Sequence, residues 1–228
     1  IGIRPTEGIF NKKILNNFLK RLKKNGSKFS YRKVKNKSKK VYEANITVFD
    51  ALKKSDYDSN GKFFLERYVS AHSIMISFEG IPALYFNSLF GKSNDEAKYV
   101  ITGNNRDVNR YKWNYKNISK KLDNKNSKQS IFYQKISNLL GVKRKQKAFH
   151  PNAARYNMSL GSKIFSFKRV SINKKQTIIC ISNLSSKIQR VNLNKIYHNW
   201  KNLIGPKIEI KNKLLIVKPF ETIWLSNR

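Results

Sequence analysis

Residues 127–172 read SKQSIFYQKISNLLGVKRKQKAFHPNAARYNMSLGSKIFSFKRVSI, and the apolar period changes within them. Up to Lys145, the residues Ile131, Phe132, Ile136, Leu139 and Leu140 recur at helical spacing, which predicts an α-helix over 127–145. Beyond Ala148 the apolar residues alternate instead. Segments 155–160, 163–172, 176–183, 189–193, 207–210, 213–218 and 222–225 read as short strands, parted by Asn-Lys-Lys, Asn-Leu-Ser-Ser and Pro-Phe turns. Strands at that density predict an antiparallel β-sandwich over 148–228.

Towards the N-terminus the period is helical. Phe10, Ile14, Leu15, Phe18, Leu19 and Leu22 share one stripe, stopped by Asn25-Gly26. Residues 28–40 are basic and lack a helical period, and 41–52 (VYEANITVFDAL) are apolar enough to be ordered. Residues 63–78 predict a helix buried on more than one face. The run 80–86 (GIPALYF) reads as a buried strand of a parallel sheet, followed by a long loop over 87–113. Helix, buried strand, long loop and helix form the closing units of a (β/α)8 barrel, whose ligands sit on loops at the strands' C-terminal ends. An incomplete doubly wound sheet would write the same string. The expected class is therefore α/β plus all-β: a barrel portion over 1–147, then the sandwich over 148–228.

The chain has 228 residues, with 48 Lys and Arg against 13 Asp and Glu, a net charge of +35. Hydrophobic residues at 39% and aromatics at 12% are too many for a disordered basic tail. One cysteine (Cys180) and three histidines (His72, His150, His198) exclude a disulfide framework and a cysteine-rich zinc site. No apolar run approaches the roughly 18 residues of a membrane-spanning helix, and 1–11 lacks signal-peptide anatomy, so no membrane partner and a cytoplasmic location are expected. The start without Met suggests a fragment. Lys far outnumbers Arg, and the charge is spread along the chain with abundant Asn and Ile, the signature of an A/T-rich coding sequence on permissive surface positions. A solvated surface rather than a nucleic-acid partner is expected, with a polyanion site as the alternative for the dense run 33–40 (KVKNKSKK).

No spacing forces two carboxylates across a scissile bond, and no nucleophile elbow, Gly-rich phosphate loop or metal-spaced His pair is present. Three stretches nevertheless carry a resemblance. Residues 1–8 (IGIRPTEG), 80–87 with 102–110 (GIPALYFN and TGNNRDVNR), and 148–153 with 219–225 (AFHPNA and PFETIWL) together resemble the sucrose-phosphorylase-like branch of the α-amylase superfamily, glycoside hydrolase family 13. The resemblance runs over essentially the whole chain. Tyr42–Asn45 (YEAN) and AFHPNA are more similar to glucosylglycerate phosphorylases than to sucrose phosphorylases.

The resemblance implies a retaining transfer of glucose from an α-glucoside to inorganic phosphate, without metal or organic cofactor. It places the nucleophile, the acid–base and the transition-state carboxylate before Ile1, so no catalytic residue is expected in this chain and the 228 residues alone are expected to be inactive. The expected partners are an α-glucoside, inorganic phosphate and an N-terminal remainder of the same enzyme. Arg106 matches the Arg that holds the glucose beside the bond being broken; Tyr42 and Glu43 match a mobile acceptor loop; Arg4 lines the mouth or braces its loop. Arg32, Lys39 and Lys40 are expected to offset the Glu43 charge, and Asn105 and Asp107 to shape the turn presenting Arg106. Arg110 is expected to pin that turn, and Asn45 to form one. His72 is expected as a core residue, His150 as a corner, Cys180 as a small hydrophobe, and Trp200 and Trp224 as sandwich filling. The rival readings are a hydrolase of the same superfamily, a basic binding module and a decayed gene.

Overall fold

The computed structural model describes residues 1–34, 38–193, 200–205, 207–211 and 214–228, with helices and sheets both present. His198, the centre of the 33–40 run and Lys213 lie outside the described residues. The chain forms two compact units: Ile1–Gly61 with Leu84–Tyr133, and Lys62–Ala83 with Gln134–Arg228.

In the first unit, helix α1 (Lys12–Lys24) starts where the Asn11 side chain accepts the Ile14 N–H. Leu15, Leu19 and Leu22 face a core with Ile3, Ala44 and Ile46. The single stripe expected from the sequence divides here, because Phe10, Ile14 and Phe18 are exposed. Strands β1 (Lys28–Lys33) and β2 (Lys39–Asn45) form an antiparallel hairpin, where 28–40 was expected only to lack a helical period and 41–52 only to be ordered. Their β character comes from pairing rather than apolar alternation, which is why the basic composition hid it. Asn45 is not a turn-former: it is buried at the end of β2 and donates to the Lys28 carbonyl and Ser30 Oγ, tying the hairpin shut. Short helix α2 (Val48–Lys53) follows, capped by the Thr47 hydroxyl.

The expected loop over 87–113 is largely helical: α4 (Phe86–Leu89), α5 (Glu96–Thr102) and a 3-10 helix (Asn105–Asn109). Asp95 caps α5 and Gly103 ends it in the left-handed region (φ 65°), a start and a stop that the polar composition concealed. The aromatic anchors are held together, with Phe90 against Trp113 and Tyr133, and the Trp113 indole N–H donating to the buried Asn87. Helix α6 (Tyr115–Asp123) leads to α7 (Lys128–Arg144), the helix expected over 127–145.

Segment 80–86 is not a strand. It runs without secondary structure into α4, and Ile81 is 85% exposed. An extended segment becomes a strand only by laddered pairing, and among the described residues this one enters no sheet, although its Gly80 N–H donates to the Pro151 carbonyl at 3.2 Å.

In the second unit, α3 (Phe64–Ser77) buries Tyr68, His72, Ile76 and three serines: Ser73 and Ser77 bond back to the Val69 and Ser73 carbonyls, and Ser70 pairs with the Thr222 hydroxyl. Strands β3 (Ala154–Met158), β4 (Ile164–Val170), β5 (Thr177–Asn183), β6 (Gln189–Asn192), β7 (Lys201–Asn202), β8 (Glu209–Lys211), β9 (Leu214–Val217) and β10 (Thr222–Ser226) form two antiparallel sheets, ordered β3-β4-β5-β10-β7 and β6-β9-β8. One apolar cluster takes Ile179, Ile181, Ile223 and Leu225 from the larger sheet and Val191, Leu215 and Val217 from the smaller. Trp200 packs against it, and Trp224, fully buried, meets Phe149 edge-on. Cys180 is buried in β5, which pushes its thiol up to about 12, so it is inert at neutral pH.

Buried Arg169 on β4 is this unit's main polar fixture. Its guanidinium donates to the carbonyls of Ser77, Phe78, His150 and Ala153, tying the end of α3 to the turn before β3. His150 sits at this corner, its carbonyl accepting from Arg169 and its Nδ1 accepting the Asn152 N–H.

Candidate functional site

The β1–β2 register jumps between Ser30, which faces Glu43, and Tyr31, which faces Val41. Tyr42 is therefore the extra residue of a β-bulge, a device that re-aims side chains and bends a strand. The Tyr42 carbonyl accepts the Ile3 N–H at 2.8 Å, and Glu43 bridges Gly2, so the N-terminal residues run along the other edge of β2. The bulge is held from both sides.

Arg106 comes to the bulge on the 3-10 helix Asn105–Asn109. Asn104 caps that helix by accepting the Arg106 N–H, Asn105 donates to the Phe29 carbonyl of β1 at 2.9 Å, and Asp107 pairs with Lys98 of α5 at 3.1 Å. So anchored, the Arg106 Nε donates to Glu43 Oε2 at 3.1 Å. The Glu43 carboxylate, with a smaller contribution from the Tyr42 hydroxyl, raises the affinity of the Arg106 guanidinium for its proton. The pair is half open to solvent, with 46% of the Arg106 side chain and 27% of the Glu43 side chain exposed.

Three of the four expected site residues, Tyr42, Glu43 and Arg106, therefore converge. Arg4 lies on a 3-10 turn (Arg4–Thr6) packed against β2, is exposed, and joins the cluster through no direct contact. Its charge acts on Glu7, whose carboxylate is held below its ordinary range chiefly by Arg32. Arg32 donates to both Glu7 oxygens at 2.8 Å and so does not serve Glu43, contrary to the sequence expectation. The register explains this, since Arg32 faces Lys40, on the far side of the bulge from Glu43. Glu43 finds its cation in Arg106. Asn105 and Asp107 hold the turn as expected, and Arg110 closes it by donating its backbone N–H to the Asp107 carbonyl.

The sequence reading missed the supports beneath this turn. Asp50 accepts the Asn94 N–H at 2.6 Å, the Asn94 side chain ties Thr47 to the Gly26 carbonyl, and the Asp95 N–H donates to the Val108 carbonyl. Asn87 donates to the Tyr111 carbonyl at 3.0 Å beyond the turn. The Asn-rich string held one usable signal, Asn104 as a cap.

Chemically, a guanidinium offers a planar fork of five N–H donors. One is committed to Glu43 and the fork also reaches the Tyr42 hydroxyl; the remaining donors suit sugar hydroxyls, a phosphate or a carboxylate. Among the described residues no group of His, Cys, Asp and Glu could hold a metal ion. A cavity of about 850 Å³, lined by Val69, Leu139, Val142, Ile204, Phe220 and their neighbours, lies wholly in the second unit and includes none of the expected site residues. Among the described residues no helix is long and apolar enough to cross a membrane.

No protein-family model matches the chain. It is 26% identical over 226 residues to the glucosylglycerate phosphorylase of Escherichia coli strain K12, a match covering 99% of this chain and 39% of that protein. It is 28% identical over 127 residues to the sucrose phosphorylase of Agrobacterium vitis, covering 56% of this chain and 23% of that protein. The chain thus spans about two fifths of the length of the first of these relatives. Among solved structures, the sucrose 6F-phosphate phosphorylase of Thermoanaerobacter thermosaccharolyticum superposes with a TM-score of 0.64 at 19% identity, covering 81% of this chain and 35% of that one. The resemblance carried by the three sequence stretches is therefore a similarity along nearly the whole chain to a glucosylglycerate phosphorylase, and along just over half of it to a sucrose phosphorylase.

Proposed function

We propose that this chain is the C-terminal part of a retaining α-glucoside phosphorylase that moves glucose from a glucosylglycerate- or sucrose-type donor to phosphate, giving glucose 1-phosphate. The observation that carries the proposal is the meeting of Arg106, Glu43 and Tyr42. Residues 63 positions apart converge on one bulge, and they are the positions that the resemblance assigns to glucose holding and to the acceptor loop. Arg106 would grip a glucose hydroxyl while Glu43 fixes its plane. Tyr42 and Glu43 would face the aglycone and then the phosphate that replaces it, and Arg4 would line the same mouth.

In this reading, residues 1–147 are the last units of a (β/α)8 barrel with an acceptor-loop insertion, and 148–228 are a β-sandwich. The succession of α3, an extended segment and the helices α4 to α7 supports the first part, although 80–86 pairs with no other strand, and the shared core of the two sheets supports the second. Reaction through a glucosyl-enzyme needs two carboxylates flanking the bond. The motifs matched here supply binding groups without them, so the 228 residues alone would be inactive. A cytoplasmic location agrees with the need for free phosphate.

The test is an assay of the complete polypeptide carrying this chain. Release of glucose 1-phosphate that requires phosphate supports the proposal. Release of free glucose at the same rate without phosphate would identify a hydrolase.

A further inference from the structure

Asn87, the second residue of α4, is 4% exposed and uses both ends of its side chain. Oδ1 accepts the Trp113 indole N–H at 2.8 Å. Nδ2 faces the Tyr111 carbonyl at 3.0 Å, the Tyr85 hydroxyl oxygen at 3.3 Å and the Asn109 carbonyl at 3.5 Å. An indole N–H only donates and a carbonyl only accepts, so the partners fix which way the carboxamide points. The Tyr85 hydroxyl in turn donates to the Asn109 carbonyl at 3.1 Å. Asn109 closes the 3-10 helix that carries Arg106. At three residues per turn, the two residues lie on one face of that helix, one turn apart. Asn105 and Asp107 tie the helix to Phe29 and Lys98, while Asn87 and Tyr85 hold its other end.

We propose that Asn87 is a positioning residue for Arg106: it holds the end of the 3-10 helix, directly and through Tyr85, and so keeps Nε on Glu43 and the remaining guanidinium donors turned to a ligand. The arrangement asks for a carboxamide. An Asp of the same shape could still accept from Trp113, but it would set an oxygen against three oxygens and leave the two carbonyls without their donor. The ligand part of this inference rests on the phosphorylase reading. The placement of Arg106 on Glu43 does not.

Two measurements test the two parts. In the full chain, nitrogen-edited NMR follows exchange of the Arg106 Nε–H with water, the signal being the one that Arg106→Lys removes. Asn87→Asp should speed this exchange about fivefold or more, and Tyr85→Phe, which deletes one hydroxyl and keeps the ring, about two- to threefold. Tyr85→Phe carries the test should the buried carboxylate of Asn87→Asp unfold the chain. Exchange unchanged in the variants that fold would overturn the proposal. In the complete polypeptide, each folded variant should lower kcat/KM for the glucosyl donor, Asn87→Asp by about tenfold. In the Arg106→Ala background the same change should cost less than about twofold, because nothing is left to position. Equal losses in both backgrounds would make Asn87 a general brace of the fold and overturn the positioning role. If the unaltered polypeptide forms no glucose 1-phosphate while the exchange responds as expected, the phosphorylase reading fails and the placement of Arg106 stands.

Discussion

Arg106 reaches Glu43 through Nε and also meets the Tyr42 hydroxyl, so the donors left over are the part that would meet a ligand. In the complete polypeptide, Arg106→Ala is expected to lower kcat/KM by about 100-fold or more, the usual scale for losing a positioned charge-assisted donor. Arg106→Lys should recover little, because an ammonium cannot bind Glu43 and a sugar in one plane. Steady-state kinetics on both variants checks this. His72 makes a different kind of prediction. Its Nδ1–H donates to the Tyr68 carbonyl at 2.8 Å, and burial holds its proton affinity below the ordinary value of 6.5. The unfolded chain takes up that proton first, so the His72 contribution is complete above about pH 6.5 and declines as pH falls below it. Urea unfolding should show an acid-side loss that His72→Gln reduces. Arg106 was legible because Asn-Asn-Arg-Asp sits in a recognisable string. Its pairing with Glu43 was not, because no local rule links positions so far apart.

At the scale of elements, the bulge at Tyr42 and the turn at Arg106 are two short, irregular pieces braced by asparagines. The helices α1, α3 and α7 and most late strands were legible from hydrophobic period. The hairpin and the helical pieces of 87–113 were not, because pairing and capping by Asp95 and Asn104 specify them, rather than apolar repeats. Segment 80–86 shows the reverse, strand-like composition without a strand, since composition supplies no pairing partner. Gly91 tests the bracing. Its φ is 55°, and a Cβ there would meet the Phe132 ring at 2.7 Å. Gly91→Ala is expected to cost about 1–3 kcal/mol through strain and overpacking, read as a lower denaturant midpoint with unchanged m.

At the scale of the molecule, most of the +35 charge fits a solvated surface, yet the few carboxylates are placed with purpose. Glu7 holds Arg32, Asp107 holds Lys98, Glu79 holds Arg155, and Glu43 orients Arg106. Arg169 takes the opposite course, a buried cation whose two terminal nitrogens donate to backbone carbonyls. Arg169→Leu should destabilise the second unit by about 3–5 kcal/mol, since it leaves those carbonyls without their donor. Calorimetry would show it. The central claim is functional, and one assay addresses it most directly: phosphate-dependent formation of glucose 1-phosphate from glucosylglycerate by the complete polypeptide, beside its Arg106→Ala variant. The account predicts product only when phosphate is present and a loss of about 100-fold in the variant. Full turnover without Arg106 would contradict it.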